Sequence, residues 1–207
     1  MDKKEEIPAK DYETGLDIAR RYATQYLFDF YDILLHEILT TLVDRPATIM
    51  SLFEAARWAP SSYNNQPWRF IYAKKNTPYW DKLFNLLAEP NKVWTKNAAV
   101  LVVIIARKNF EHNEKYSITH QFDAGAAWEN LALEASSRGL AVHAMQGFDY
   151  QQARTDLEIP DNFDVMAMIA IGRKGPKENL PPQLQEREQP NDRKPLTEVV
   201  MEGQFRK

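Results

Sequence analysis

The chain has 207 residues, 44% hydrophobic and 27% charged, with a formal net charge of −3. That is enough for one domain with a substantial core, without the basic excess of a nucleic-acid or membrane-surface binder. There is no cysteine, which excludes disulfides, thiolate metal sites and a cysteine nucleophile, so redox chemistry has to reside in a cofactor. Residues 1–6 are charged and no apolar signal core follows, so no secretion signal is read and a cytoplasmic protein is expected.

Residues 12–42 carry Tyr22, Tyr26, Phe30, Ile33, Leu34 and Ile38 at helical spacing and read as helical, with a break near Phe28-Asp29. Asp44-Arg45-Pro46 is a turn and helix start, Pro46 lying near the first helical position. The helix continues through Ile49, Leu52, Phe53 and Ala56 to a break at Pro60. Residues 68–73 read as a strand. Thr77-Pro78 opens a helix over 79–87, ended by Glu89-Pro90-Asn91, and residues 94–97 form a connector. The apolar, β-branched run 98–106 is too short to span a membrane and reads as a strand buried on both faces.

Residues 107–117 are polar and read as a loop able to act as a lid. Residues 123–138 form a strong helix stopped by Gly139. Its small residues Ala124, Gly125, Ala126, Ala127, Ala132 and Ala135 suit either close approach of another helix or simple helix propensity. A strand over 140–145, a short helix over 150–157 and a buried apolar strand over 165–172 follow. The tail holds Pro176, Pro181, Pro182, Pro190 and Pro195, which exclude a long helix or central strand. Residues 197–202 can add as an edge strand, including to another subunit. The mixture gives an α+β fold, with a mainly antiparallel or mixed sheet covered by helices.

The most informative stretch runs from Glu54 to Phe70, where the helix gives way to Pro60-Ser61-Ser62-Tyr63-Asn64-Asn65-Gln66-Pro67-Trp68. Two readings stand side by side. One is an ordinary helix–strand connection built of turn residues. The other is a holder for a flat, hydrogen-bonding ring. Ser61, Ser62, Asn64, Asn65 and Gln66 would face its polar edge, and Trp58, Tyr63, Pro67 and Trp68 would cover its faces.

The wording of this segment resembles the signature of the nitroreductase family of flavin-dependent oxidoreductases, and the resemblance extends from Asp44 toward the C-terminus. Residues 91–98, Asn91-Lys92-Val93-Trp94-Thr95-Lys96-Asn97-Ala98, are similar to the segment whose asparagine reaches the flavin's polar edge. Residues 123–133 resemble the long helix at the core of the family's dimer. Met145-Gln146-Gly147-Phe148-Asp149 resembles the loop that places backbone N–H groups near the flavin's reactive nitrogen. Arg193-Lys194-Pro195-Leu196 resembles the basic pair that holds the phosphate.

The resemblance implies an intertwined homodimer of nitroreductase fold with two FMN sites, each built from both chains. It implies ping-pong transfer from NADH or NADPH to a nitroaromatic or quinone-like acceptor, without a catalytic side chain or a metal. The cofactor-binding residues it implies are Pro60, Ser61, Ser62, Asn64, Gln66, Asn91, Met145, Gln146, Gly147, Arg193 and Lys194. Arg20 and Arg21 are the nearest match to the family's N-terminal arginines but lie too far upstream, so they are either phosphate ligands or a solvated helix face, with Arg45 as a substitute. Residues 1–43 are accordingly set apart as a helical segment of atypical pattern, ahead of one domain over 44–207. Gln146 stands where many relatives carry an acid.

The histidines His112, His120 and His143 lack metal-ligand spacing, and Asp123 and Asp149 read as helix caps. Trp128 is core or dimer packing. Phe110, Tyr116 and Phe122 either cover the open flavin face or pack in the core. An alternative function is a flavin-binding protein with little turnover, for storage or sensing. Reductive dehalogenation or flavin breakdown on the same scaffold is a further one.

Overall fold

The computed structural model describes residues 46–188 and 192–205. The helical expectation for 12–42, Arg20, Arg21 and Arg45 lie outside the described residues. A four-stranded sheet organises the chain: β1 (Trp68–Lys74), β2 (Val100–Arg107), β3 (Ala141–Met145) and β4 (Phe163–Gly172), in the order β1-β2-β4-β3 with every neighbouring pair antiparallel.

The run 98–106 behaves as its composition demands. β2 is central and buried from Val100 to Ala106. Its side chains alternate between two core layers, as a period of two requires. Leu101, Val103 and Ile105 join Trp80, Leu83, Leu86, Trp94 and Phe148 on one face. Val100, Val102 and Ile104 join Ile49, Leu52, Ala56 and Leu131 on the other. Each such aliphatic side chain contributes about 1.5–3 kcal/mol on burial. The β2–β4 register shifts between Ile104 and Ile105, so that Ile104 pairs with Ala167 and Ile105 with Val165. The irregularity bends the sheet at the end that carries the amide-rich loop.

Helix α1 (Pro46–Arg57) and helix α4 (His120–Ser137) cover the second layer. α4 begins three residues before the expected Asp123. Ala127, Ala132 and Ala135 are buried in the layer shared with α1 and the sheet, so the close approach that small residues permit is used within this chain. Gly125 instead opens onto free space. Trp128 packs partly buried against the same layer.

The expected helix over 79–87 is cut short. Helix α2 (Trp80–Phe84) stops, and a second helix, α3 (Glu89–Thr95), follows where a terminator and connector were expected. Tertiary pairing overrides propensity here. The Leu86 carbonyl accepts from the Asp149 N–H at 2.8 Å, and Leu87 bridges to Phe148. Pro90 then sits in the first turn of α3, where its missing N–H costs nothing. Helix α5 (Tyr150–Asp156) is capped as expected, the Asp149 carboxylate accepting from the Gln152 N–H at 2.8 Å.

In the tail, α6 (Pro182–Arg187) precedes α7 (Leu196–Val199), a single helical turn. The expectation of an edge strand over 197–202 is therefore corrected. Pro195, with φ −53, stands just before the turn, and proline's fixed φ suits a helix start. The polar loop 107–117 is also more ordered than its composition suggested, being bridged across Asn109 and Tyr116. No helix among the described residues is long and apolar enough to cross a membrane.

Candidate functional site

Between α1 and β1 the chain makes an unusual turn. Tyr63 (φ 53), Asn64 (φ 53) and Gln66 (φ 46) are all left-handed. Tyr63 and Asn64 form the centre of a turn closed by the Asn65 N–H on the Ser62 carbonyl at 3.0 Å, with positive φ at both central residues as in a type I′ turn. Asparagine tolerates this region, whereas tyrosine and glutamine rarely enter it. Such residues cost on the order of 1–3 kcal/mol each and persist where the surroundings over-determine them.

The surroundings do so from three sides. Within the turn, the Ser61 hydroxyl accepts from the Gln66 N–H at 3.0 Å, and the Gln66 amide donates to the Asn64 carbonyl at 3.1 Å. From the loop after β2, the Glu111 N–H donates to Asn65 Oδ1 at 2.9 Å, and Asn65 Nδ2 donates to the Asn109 carbonyl at 3.4 Å. From α4, the Asp123 carboxylate accepts from the Ser62 N–H at 3.1 Å. Arg69 adds a fourth grip, donating to the Gln66 and Trp68 carbonyls and to Glu111. Glu111 and Glu114 also pair with Arg107 at 3.7 and 2.6 Å, which fastens the 107–117 loop to the end of β2.

Asp123 is thus corrected from helix cap to loop anchor. Thr119 is the N-cap residue, and Asp123 lies one turn inside α4, where it also accepts from the Thr119 hydroxyl at 3.3 Å. Of the expected ring covers, Trp68 and Pro67 are buried, Trp68 in the core. Trp58 is exposed and donates its indole N–H to Glu54 at 2.8 Å. Hydrogen bonds from Arg57 and then Trp58 hold the Glu54 carboxyl down to about 2. Tyr63 is 83% exposed, its ring edge-on to Phe110 at 5.5 Å. Tyr116 and Phe122 are also exposed, while Phe110 is half-buried.

The second group of candidates forms around Gly147. Asn91 Nδ2 donates to the Gly147 carbonyl at 2.9 Å, and Asn91 Oδ1 accepts from the Trp94 indole at 3.2 Å. The Ala88 N–H donates to the same Gly147 carbonyl at 2.9 Å. A Cβ at position 147 would lie 2.6 Å from Asn91 Nδ2, so the asparagine approaches where only glycine leaves room. Asn91 therefore holds the 146–148 loop in place. Met145 is buried in the core, and Gln146 is exposed. His143, on the edge strand, lies edge-on to Trp94 at 4.9 Å.

These two groups leave the sheet at opposite edges. The 60–67 loop enters β1, whose Trp68 pairs with Ala106, while residues 145–148 leave β3, whose Met145 pairs with Met168. Three strand spacings of about 4.8 Å separate β1 from β3, roughly 14 Å in all. Asn64, Pro60, Arg193 and Lys194 are exposed, and Ser61, Ser62, Gln66, Asn91 and Gly147 half-buried. Sequence reasoning missed Asp123 as an anchor, His120 as the partner of Asp164, and Arg69 altogether. Nothing in their local sequence marks these roles, because the partners Ser62, Glu111 and Asp164 lie 42 to 61 residues away.

The nitroreductase family model matches residues 45–173, more than half of the chain. A crystal structure described as an oxidoreductase containing FMN is 39% identical, superposes with a TM-score of 0.80, and aligns over 88% of this chain and 91% of its own. A putative nitroreductase in complex with FMN from Desulfovibrio desulfuricans has the same fold, with 23% identity, a TM-score of 0.64 and coverage of 89% and 98%. An uncharacterized 15.4 kDa protein of Mycolicibacterium smegmatis is 31% identical over 124 residues, 59% of this chain and 82% of its own. By these matches and by its fold, the chain belongs to the nitroreductase family.

Proposed function

We propose that this chain is an FMN-dependent oxidoreductase that takes electrons from NADH or NADPH and passes them to nitroaromatic or quinone-like acceptors by a ping-pong mechanism. The observation that carries the reading is the Ser61–Gln66 turn, numbered 61–66, whose three left-handed residues are clamped from α4 and from the loop after β2. Strain of this kind clusters at ligand sites, and a polar turn fixed in advance spares a ligand the entropy of ordering it. The FMN-containing relative at 39% identity supports the same cofactor.

The residues present fit such a group. Asn64 and Gln66 offer amides at a conformationally fixed turn, and Gln146 and Gly147 offer backbone N–H groups on a loop held by Asn91. Arg193 and Lys194 are exposed cations in the tail, suited to charge-assisted bonds with a phosphate. The cofactor supplies the redox chemistry when bound, and the protein's tasks are to bind, orient and exclude water.

The two loops lie at opposite edges of one sheet, which favours a homodimer in which each site draws one loop from each chain. Residues 44–207 act as one domain, 1–43 as a separate N-terminal segment, and the protein works in the cytoplasm. The absorbance spectrum of purified protein, with mass identification of whatever is bound, tests the cofactor. Reconstitution with excess FMN that leaves no flavin after desalting overturns it. Initial rates with NADH and NADPH at several acceptor concentrations test the mechanism: parallel double-reciprocal lines are expected, and intersecting lines would reject it.

A further inference from the structure

We propose that Asp123 is the positioning residue of this site: from the first turns of α4 it sets the left-handed turn at 62–66 and thereby the cofactor's polar contacts. The inference rests on the flavin reading above for its second half only. The first half concerns the flavin-free protein and stands on geometry.

Asp123 is 3% exposed. One of its oxygens, Oδ2, receives both the Ser62 N–H at 3.1 Å and the Thr119 hydroxyl at 3.3 Å. Ser62 is the residue from which the chain turns into two consecutive left-handed residues. The outer end of the turn is held by Asn65 against residues 109 and 111, and Arg69 holds the exit into β1. The Ser62 N–H is the bond that fixes the entrance from the helix side. A carboxylate is costly to bury, and a position one turn inside the N-terminus of an 18-residue helix is where negative charge is best tolerated. The backbone donor sits 61 residues away in sequence, so this bond couples α4 to the strained turn and to no neighbour of its own. Tyr63, Asn64 and Gln66 then have one end anchored in the core and one on the surface loop. Loss of the core anchor leaves their left-handed conformations supported only by the turn's own hydrogen bonds, Arg69 and the surface loop.

The test uses the full chain in two parallel measurements: hydrogen exchange of the peptide spanning 59–67 in flavin-free protein, and FMN titration. Asp123→Ala is expected to speed exchange in that peptide about tenfold or more, with the β2 and β4 peptides unchanged, and to weaken FMN binding about tenfold. Asp123→Asn keeps an oxygen acceptor and should restore both. Should Asp123→Ala fail to fold, Ser62→Pro removes the backbone donor together with the hydroxyl, whose loss Ser62→Ala controls for. Ser61 is already extended (φ −150, ψ 155), as a residue before proline prefers, and position 62 opens the turn. Ser62→Ala keeps the N–H and should exchange like the parent. Unchanged exchange in both Asp123→Ala and Ser62→Pro would overturn the anchor. Faster exchange with unaltered FMN affinity would overturn its link to the cofactor. If the parent itself binds no FMN, the flavin reading falls, and the exchange measurements still decide whether Asp123 sets the turn.

Discussion

His120 and Asp164 meet at 2.8 Å, the imidazole Nε2 against Oδ2, and join the first residue of α4 to the start of β4. His120 is 1% exposed, and its Nδ1 lies 2.7 Å from the Ser117 carbonyl. The Tyr116 ring closes over it edge-on at 5.5 Å. Lys108 approaches the other oxygen of Asp164 at 3.4 Å. One carboxylate thus ties together the helix, the sheet and the 107–117 loop that grips Asn65.

This cluster makes acid stability predictable in sign. Burial pushes the Asp164 carboxyl up, but the hydrogen bond from His120, the charge of Lys108 and further hydrogen bonds from Gln121 and Lys108 outweigh it and hold the group below its ordinary 3.8. A carboxyl depressed in the folded state adds stability above its unfolded value, and that stability is lost as pH falls through the folded value. Asp164→Asn should therefore melt below the parent at pH 7, and the gap should close below about pH 4. Thermal melts of flavin-free protein across that range decide it; a gap that stays constant would reject the assignment.

Asn91 and Gly147 supply a second, separable prediction. Gly147→Ala places a methyl 2.6 Å from Asn91 Nδ2, and overpacking of this kind costs about 1–3 kcal/mol. In an Asn91→Ala background the obstacle is gone, and the same substitution should cost less than about 0.5 kcal/mol. Denaturant midpoints for the four proteins of this cycle measure the coupling. Equal costs in both backgrounds would show that the contact does not constrain the loop.

The tail carries the third. A phosphate held by Arg193 gains a charge-assisted bond of about 1.5–3 kcal/mol. Arg193→Ala should weaken FMN binding about tenfold or more, at ~1.4 kcal/mol per decade. The parent's affinity should also fall with added salt more steeply than the variant's. Titration of apo proteins at two salt concentrations tests both, and an unchanged affinity would move the phosphate away from this pair. Arg21→Ala and Arg45→Ala in the same series report on the N-terminal arginines.

What could be read in advance followed local rules. The run 98–106 has no polar residue to expose, so a strand buried on both faces was the reading that fits. Asp149 was legible as a cap because the N–H it binds is three residues away. Pro90 misled because proline both ends and begins helices, and the choice lay with Leu86 and Leu87, which pair with 148 and 149 across the fold. Asp123 misled for the same reason. An acidic residue near a helix start looks like a cap, and only the three-dimensional approach of Ser62 shows otherwise. The amide-rich motif was legible as the break between helix and strand, but its left-handed turn at Tyr63 and Gln66 was not, since neither residue type prefers that conformation.

The last prediction concerns whose loops make one site. The 60–67 loop and the 145–148 loop leave β1 and β3, the two outer strands of a single sheet. They are held by different residues, Asp123 and Asn65 for one and Asn91 for the other. If each FMN site of a homodimer takes the first loop from one chain and the second from its partner, two crippled chains can rescue each other. Ser62→Pro disables the first loop and Gly147→Ala the second, and each homodimer should lose most of its flavin. In a dimer of one chain of each kind, both lesions fall in the same site, and the other site receives two intact loops. Co-expression with two different affinity tags and sequential purification isolates that mixed dimer. Its absorbance spectrum should show one flavin site restored per dimer. A mixed dimer as colourless as its parents would mean that each chain builds its own site, and the shared-site arrangement would have to be given up.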